Sequence, residues 1–180
     1  MTSLQLLLLN LLYDIICLIL PWDNVDEDIY SLPQEWSGKN LGRFMRCFGP
    51  ISSIFDLITF GILYYFICPR LSGGNEALFI TLFQTGWFLE SMWTQVLILH
   101  LLRTKKLPFI QSRPATSVMG VTLLGIVVFT AFAFTNLGGM FGLSKMPVGY
   151  FGFLAVIVIC YMILVSVVKS LYLKKYQELT

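Results

Sequence analysis

Charged side chains are scarce in this sequence: Asp, Glu, Lys and Arg make up 12 % of its 180 residues, whereas 57 % of the residues are hydrophobic. This scarcity, together with a mean hydropathy of +0.78, excludes an ordinary soluble domain. The net charge of +2 is small and lies beside apolar runs, so it gives no reason to expect a nucleic-acid partner. We therefore expect a polytopic membrane protein whose surroundings are the lipid bilayer.

Motifs for cysteine or histidine chemistry are also lacking. The four cysteines form no Cys-x-x-Cys pair, and we expect them to fill apolar space rather than to bind metal or form disulfides. The single histidine, His100, stands at the end of an apolar run, where we expect an interfacial residue rather than a metal ligand. Any cation site must therefore be built from oxygen ligands.

Long apolar runs are what the sequence does contain. Five of them approach the ~20 residues that a membrane-spanning helix needs. They are about twice as long as barrel strands and do not alternate, which favours helices. The prediction is an all-α polytopic bundle of five transmembrane helices, forming a single membrane domain over residues 1–180. The predicted spans are 4–22, 48–68, 77–102, 117–137 and 148–173.

Basic residues are unevenly distributed between the predicted connections. One side of the bundle carries ten of them, whereas the other carries only Arg70 and Lys145. By the positive-inside rule the richer side and the C-terminus are cytoplasmic, which places the N-terminus outside. The opening lacks the basic region and cleavage site of a signal peptide. We therefore expect this chain to be the later portion of a longer protein.

The first span carries polar residues near its middle. Asn10, Tyr13 and Asp14 fall within about one turn on one side of the predicted helix. Placing a carboxylate at that depth costs about 2.5–3.5 kcal/mol on insertion scales, so Asp14 needs a compensating partner. Two oxygen ligands on one face predict a cation site at Asn10 and Asp14.

The second and third spans each contain one carboxylate. For Asp56 we favour pairing with a basic group or a hydroxyl on an adjoining helix over direct ion ligation. Glu90 is a candidate counter-charge, protonated hydrogen-bond donor or metal ligand, and the sequence does not separate these roles. It lies at the edge of a polar stripe that we expect to face the bundle interior. The stripe consists of Gln84, Trp87, Ser91, Thr94 and Gln95.

Two connections on the predicted cytoplasmic side are polar. The segment 23–47 has an acidic first half without the central Gly of a calcium loop, and a basic second half. It is either a solvated loop or a docking surface for another cytoplasmic domain. The basic segment 101–114 either binds anionic lipid headgroups or only fixes topology, and we favour the latter.

Several motifs resemble those of a known family. The Asn-x-x-x-Asp element at Asn10 and Asp14 is similar to that of the sixth transmembrane helix of cation-pumping P-type ATPases. Further segments resemble bacterial magnesium-transporting P-type ATPases over practically the whole chain, most specifically between residues 10 and 113. These segments are Pro21-Trp-Asp-Asn-Val-Asp26, Gly42-Arg-Phe-Met45, Phe48-Gly-Pro-Ile-Ser-Ser-Ile-Phe-Asp56, Phe83-Gln-Thr-Gly-Trp-Phe88, His100-x-x-Arg103-Thr and Pro108-Phe-Ile-Gln-Ser-Arg113.

The resemblance implies that the five helices are the sixth to tenth of such a pump in a bacterial cytoplasmic membrane. It places Asn10 and Asp14 among the ligands of the transported ion, which a hard carboxylate and a neutral amide suit if that ion is Mg²⁺. Tyr13 stands where related calcium pumps carry a Thr ligand, and we expect it to line the pathway. Glu90 falls near a carboxylate position of some calcium pumps. Segment 23–47 would contact the phosphorylation domain.

The 180 residues contain no Asp-Lys-Thr-Gly-Thr phosphorylation motif and no Thr-Gly-Glu-Ser. We therefore expect ATP to act only through domains in the missing N-terminal part of the pump, and the chain alone to be inactive. Two alternatives stay open. One is a pump segment for Ca²⁺ or another divalent cation, and the other is a non-enzymatic five-helix membrane scaffold.

Overall fold

A computed structural model of the chain describes residues 1–24, 38–104 and 112–176. Helices form the regular structure of these ranges, and the predicted helical membrane bundle is confirmed. Residues 25–37 of segment 23–47 and residues 105–111 of the basic segment 101–114 lie outside the described residues. The helices are α1 (Ser3–Ile19), α2 (Gly38–Ile62, continued by a π-helical turn Leu63–Ile67 and a last segment Cys68–Ser72), α3 (Glu76–Leu102), α4 (Thr116–Phe132), α5 (Asn136–Met140) and α6 (Val148–Tyr176).

Three stretches of the described residues are long and apolar enough to cross a bilayer. They are Ser3–Trp22, Gly42–Ser72 and Val148–Lys175, with mean hydropathies of 2.1, 1.8 and 2.9. Helix α4 is apolar but has 17 residues, and α3 has 27 residues but carries the polar stripe. The chain is therefore a membrane protein, and five as the number of spans stays a prediction.

Polar side chains fix where the first helix begins. Thr2 caps α1 by accepting a hydrogen bond from the backbone N–H of Gln5, and the Gln5 side chain accepts one from the Thr2 N–H in return. The amide nitrogen of the fully buried Gln5 also donates to the carbonyls of Phe141 and Gly142, at 3.2 Å each. The start of α1 is thereby attached to the connection that precedes α6.

Helix α3 is the centre of the bundle, because it packs against α1, α2, α4 and α6. Its approach to α2 is close at Gly86: a Cβ added there would stand 2.6 Å from a methyl carbon of Leu63, the first residue of the π-helical turn. The hydroxyl of Tyr150 on α6 donates to the Gly86 carbonyl at 2.6 Å. Small residues at such contacts allow membrane helices to pack backbone to backbone.

The structure differs from the expectation for the fourth span, which was 117–137. Helix α4 ends at Phe132, and the chain re-forms a helical turn at α5 after a break. The break has a local cause, since the Thr135 hydroxyl accepts a hydrogen bond from the Gly138 N–H and caps α5. Gly138 and Gly139, within the predicted connection, therefore lie in a helical turn.

Candidate metal centre

Helix α1 has one face inside the bundle and one face outside it. Leu9, Leu12 and Ile16 are buried at the contacts of α1 with α3 and α4. Asn10 and Asp14 are exposed on the remaining surface of the helix. The polar residues predicted to bind a cation therefore do not pack within the described part of the chain. Both side chains face the surroundings of the bundle.

Asn10 and Asp14 lie on consecutive turns of one uninterrupted helix. At this spacing their Cβ atoms are about 5–6 Å apart, so an amide oxygen and a carboxylate oxygen can reach the same ion. Mg²⁺ requires near-octahedral coordination and keeps several of its waters. Two protein ligands are thus chemically suitable but leave most of the coordination sphere to water or to groups from elsewhere.

Tyr13 occupies an intermediate position between the buried and exposed faces of α1. Its side chain lies close to Cys17, one turn later, and to Asp14. The expectation that Tyr13 lines the pathway rather than coordinates the ion stays a prediction.

Asp56 and Glu90 form a second polar cluster, between α2 and α3. Their carboxyl groups lie close to each other, and Asp56 is also close to Trp87. Glu90 is 1 % exposed, and its Oε2 atom has no hydrogen-bond partner among the described residues. The pairing of Asp56 with a basic group or hydroxyl, favoured from the sequence, stays a prediction, and the structure adds Glu90 as a neighbouring carboxyl.

An open cavity of 320 Å³ lies beside this carboxyl pair. Much of the predicted polar stripe of α3 faces it, as expected for a stripe that turns toward the bundle interior. Its wall offers hydroxyl, amide and carboxyl oxygens, which are the ligands that Mg²⁺ and Ca²⁺ prefer. The polar residues that line it are Ser52, Asp56, Ser91, Thr94, Gln95 and Tyr161.

The two clusters are separate. Neither Asn10 nor Asp14 lines the cavity beside Asp56 and Glu90. Within residues 1–24, 38–104 and 112–176, no group of three or more His, Cys, Asp or Glu side chains comes together. Each cluster therefore supplies only two of the metal-ligating side chains that the sequence singled out.

An ion pair that the sequence reading missed fixes the end of α1. The Arg103 guanidinium, at the end of α3, donates to Asp23 Oδ2 at 2.5 Å, and these side chains are 5 % and 7 % exposed. Asp23 Oδ1 accepts from the backbone N–H of Ala115 at 2.7 Å, and Arg103 also donates to the Ser112 carbonyl at 2.9 Å. The sequence held one indication of this pair. Asp23 directly follows the first apolar run and Arg103 directly follows the third, and the two residues have opposite charges.

Two further basic or titratable residues have structural contacts. His100 is buried within the bundle, and its Nε2 lies 2.9 Å from the Thr122 hydroxyl on α4, whereas its expected position at the membrane interface stays a prediction. Lys169 on α6 is also buried, and its ammonium group donates to the Leu101 carbonyl at 2.6 Å. Together with the Arg103 ion pair, these contacts hold the ends of α3, α4 and α6 in register.

All four cysteines are free thiols. Only Cys68 is buried, whereas Cys47 and Cys160 are exposed. The expectation that the cysteines fill apolar space within the bundle therefore holds for Cys68 and fails for the two exposed residues.

Comparison with known proteins finds similarity over almost the whole chain. Residues 1–171 match the family described as cation transporting ATPase, C-terminus. The magnesium-transporting ATPase, P-type 1, of Salmonella typhimurium strain 14028s is 44 % identical over 176 residues, which cover 98 % of this chain and 19 % of the relative. The protein of the same name from Escherichia coli K12 is 40 % identical, with the same coverage.

The chain thus spans about a fifth of the length of these curated relatives. The match to the family covers the helix that carries Asn10 and Asp14 as well as the Asp56 and Glu90 pair. It also agrees with the helical membrane bundle of the structure. The chain belongs to the family of C-terminal segments of cation-transporting ATPases.

Proposed function

We propose that this chain is the membrane-domain segment of an ATP-driven magnesium importer and that Asn10 and Asp14 are part of its intramembrane cation site. The observation that supports this proposal is the exposure of both residues on a helix apolar enough to span a membrane. A carboxylate at that depth is stable only beside protein, water or an ion. An ion held between α1 and helices from the remaining part of the pump would meet this requirement.

The relatives support the choice of ion and reaction. They are magnesium-transporting P-type ATPases, and about four fifths of their length lies outside the region that this chain matches. We infer that ATP hydrolysis occurs in that remaining part, and that segment 23–47 transmits its state to α1. The uneven distribution of basic residues supports a C-terminus in the cytoplasm. The bacterial relatives support a location in a bacterial cytoplasmic membrane.

Asp56 and Glu90 are proposed as a second cation-binding position of the same pump. Their support is the unpartnered Oε2 of Glu90 and the cavity beside the pair, whose wall is rich in oxygen ligands. Two adjacent carboxyl groups in a low-dielectric setting repel each other when both are ionised, and a bound cation would relieve that repulsion.

The first test uses the complete pump that contains this chain, reconstituted in liposomes. We expect ATP hydrolysis to be stimulated by external Mg²⁺ and not by Ca²⁺, because the proposed ligands are few and leave room for a partly hydrated ion. Hydrolysis should be measured while each cation is varied outside the liposomes, with its uptake followed in parallel. Stimulation by Ca²⁺ alone would favour a calcium pump, and stimulation by neither would favour the scaffold.

The second test concerns Glu90. Glu90→Gln keeps the shape of the side chain but removes its charge, so it should raise the Mg²⁺ concentration for half-maximal hydrolysis if Glu90 is a ligand. We expect a rise of about tenfold or more, the lower end of what supporting residues of metal sites contribute. The matched control is Glu76→Gln, an exposed carboxyl in the first turn of the same helix. An unchanged half-maximal concentration in Glu90→Gln would remove Glu90 from the site.

A further inference from the structure

A groove of 330 Å³ lies between the last part of α2 and the first part of α6. It is on the opposite side of the predicted topology from the basic cytoplasmic segments, and neither Asn10 nor the Asp56 and Glu90 pair lines it. Its wall is apolar except at one end. The residues that line it are Ile62, Phe66, Ile67, Arg70, Leu71, Pro147, Gly149, Tyr150 and Phe153.

The groove is about as long as the hydrocarbon layer of one bilayer leaflet is thick. On α2 it extends from Ile62 to Leu71, which at 1.5 Å per residue is about 13 Å. Half of a ~30 Å hydrocarbon core is about 15 Å. Its polar end coincides with the end of α2 and the beginning of α6, where the chain leaves the two helices. The apolar part therefore extends from the membrane interface toward the bilayer centre.

Arg70 marks the interfacial end of the groove. Its side chain is exposed and forms no ion pair or hydrogen bond with any residue of the described ranges. A guanidinium at the membrane surface has the geometry and charge to bind a phosphate group with two parallel hydrogen bonds. The groove thus combines an apolar channel of acyl-chain length with an available phosphate-binding side chain at headgroup level.

The absence of a side chain at Gly149 keeps this channel open. A Cβ added at Gly149 would meet no other atom within 4 Å, so the space beside it is unfilled by protein. The π-helical turn Leu63–Ile67 directs Leu63 into the bundle against Gly86 and leaves Phe66 and Ile67 on the groove wall. Such turns are frequent at functional sites in helices.

We propose that this groove binds one phospholipid molecule of the adjacent leaflet, with an acyl chain along its apolar wall and the lipid phosphate on Arg70. The site goes beyond the proposed cation transport and does not depend on which ion is carried. The bound lipid would fill the space between α2 and α6 and stabilise the end of α2 and the beginning of α6.

The test measures phosphatidylethanolamine bound to the complete, delipidated protein by native mass spectrometry. We expect one lipid per wild-type chain at this site, and a fall in affinity of about tenfold or more for Arg70→Gln, the equivalent of one lost charge-assisted hydrogen bond. Gly149→Leu should abolish binding by filling the channel. Gly152→Leu is the matched control, since this exposed glycine also has open space beside it but does not line the groove.

The outcomes are distinct. Lipid affinity that is unchanged in both Arg70→Gln and Gly149→Leu would overturn the site. Loss in Arg70→Gln but not in Gly149→Leu would overturn the acyl-chain channel and leave only surface attraction to a headgroup. Equal competition by diacylglycerol, which lacks phosphate, would overturn the role of Arg70. Circular dichroism of each variant verifies that the helices are intact, and Mg²⁺-stimulated hydrolysis reports separately on the proposed transport.

Discussion

Replacing Asp14 with Asn is expected to abolish Mg²⁺-stimulated ATP hydrolysis by the complete pump over any accessible Mg²⁺ concentration. Asp14 would provide the only negative charge at the α1 position, and Asn keeps its shape but not its charge. Because even residues that only support a metal ligand contribute about 10–100-fold to affinity, loss of a charged ligand should cost more than about 100-fold. The measurement is hydrolysis against Mg²⁺ concentration, together with equilibrium binding of Mg²⁺.

The structure makes this variant informative because Asp14 lies outside the packed face of α1. The buried contacts of this helix come from Leu9, Leu12 and Ile16, none of which the substitution touches. We therefore expect Asp14→Asn to unfold at the same temperature as wild type or slightly higher, since it removes a charge from an apolar helix. The exposed Glu76→Gln controls for the loss of a carboxylate as such. Normal Mg²⁺ stimulation in Asp14→Asn would contradict the proposed site.

Replacing Arg103 with Ala is expected to destabilise the bundle by about 3–5 kcal/mol, because removal of one partner leaves the other charge of a buried pair uncompensated. Asp23 would be left 7 % exposed with its charge unpaired, and Ser112 would lose its hydrogen bonds from the guanidinium. The ends of α1 and α3 and the beginning of α4 would lose their common attachment. The effect is measurable as a lower thermal unfolding temperature of the detergent-solubilised protein.

A second variant distinguishes the contribution of the Asp23 charge from that of the hydrogen bonds that Asp23 accepts. Asp23→Asn keeps an oxygen that can accept from the Ala115 N–H, so it should lose less stability than Asp23→Ala. Arg113→Ala is the control, since Arg113 follows Ser112 directly but is exposed. If Arg103→Ala and Arg113→Ala unfold at the same temperature, the ion pair makes no net contribution to stability.

The helical membrane bundle could be predicted from the sequence because it follows from local properties. An apolar run of about 20 residues in a bilayer must satisfy its backbone internally, and a helix does so without any contact from elsewhere in the chain. The break between α4 and α5 was not predicted, because it depends on a local contact in which Thr135 caps a new helical turn. Hydropathy does not register such a cap, because the residues on both sides of it are apolar.

The candidate site was predictable in part for a similar reason. Asn10 and Asp14 are four residues apart, so helix geometry alone places them on one face. The contact between Asp56 and Glu90 was not predictable, since it depends on the relative position of α2 and α3. The contact of His100 with Thr122 was not predictable either, since it depends on how α4 packs against α3.

The sequence by itself determined that this chain is a membrane-bound helical bundle, and that α1 carries an oxygen-rich face within an apolar helix. These properties depend on composition and on spacings within one helix. Only the tertiary structure decided that Asn10 and Asp14 face away from the bundle, that Asp56 and Glu90 meet beside a cavity, and that Asp23 pairs with Arg103. The physical reason is that burial and pairing depend on which helices pack together, and on their rotation and axial shift.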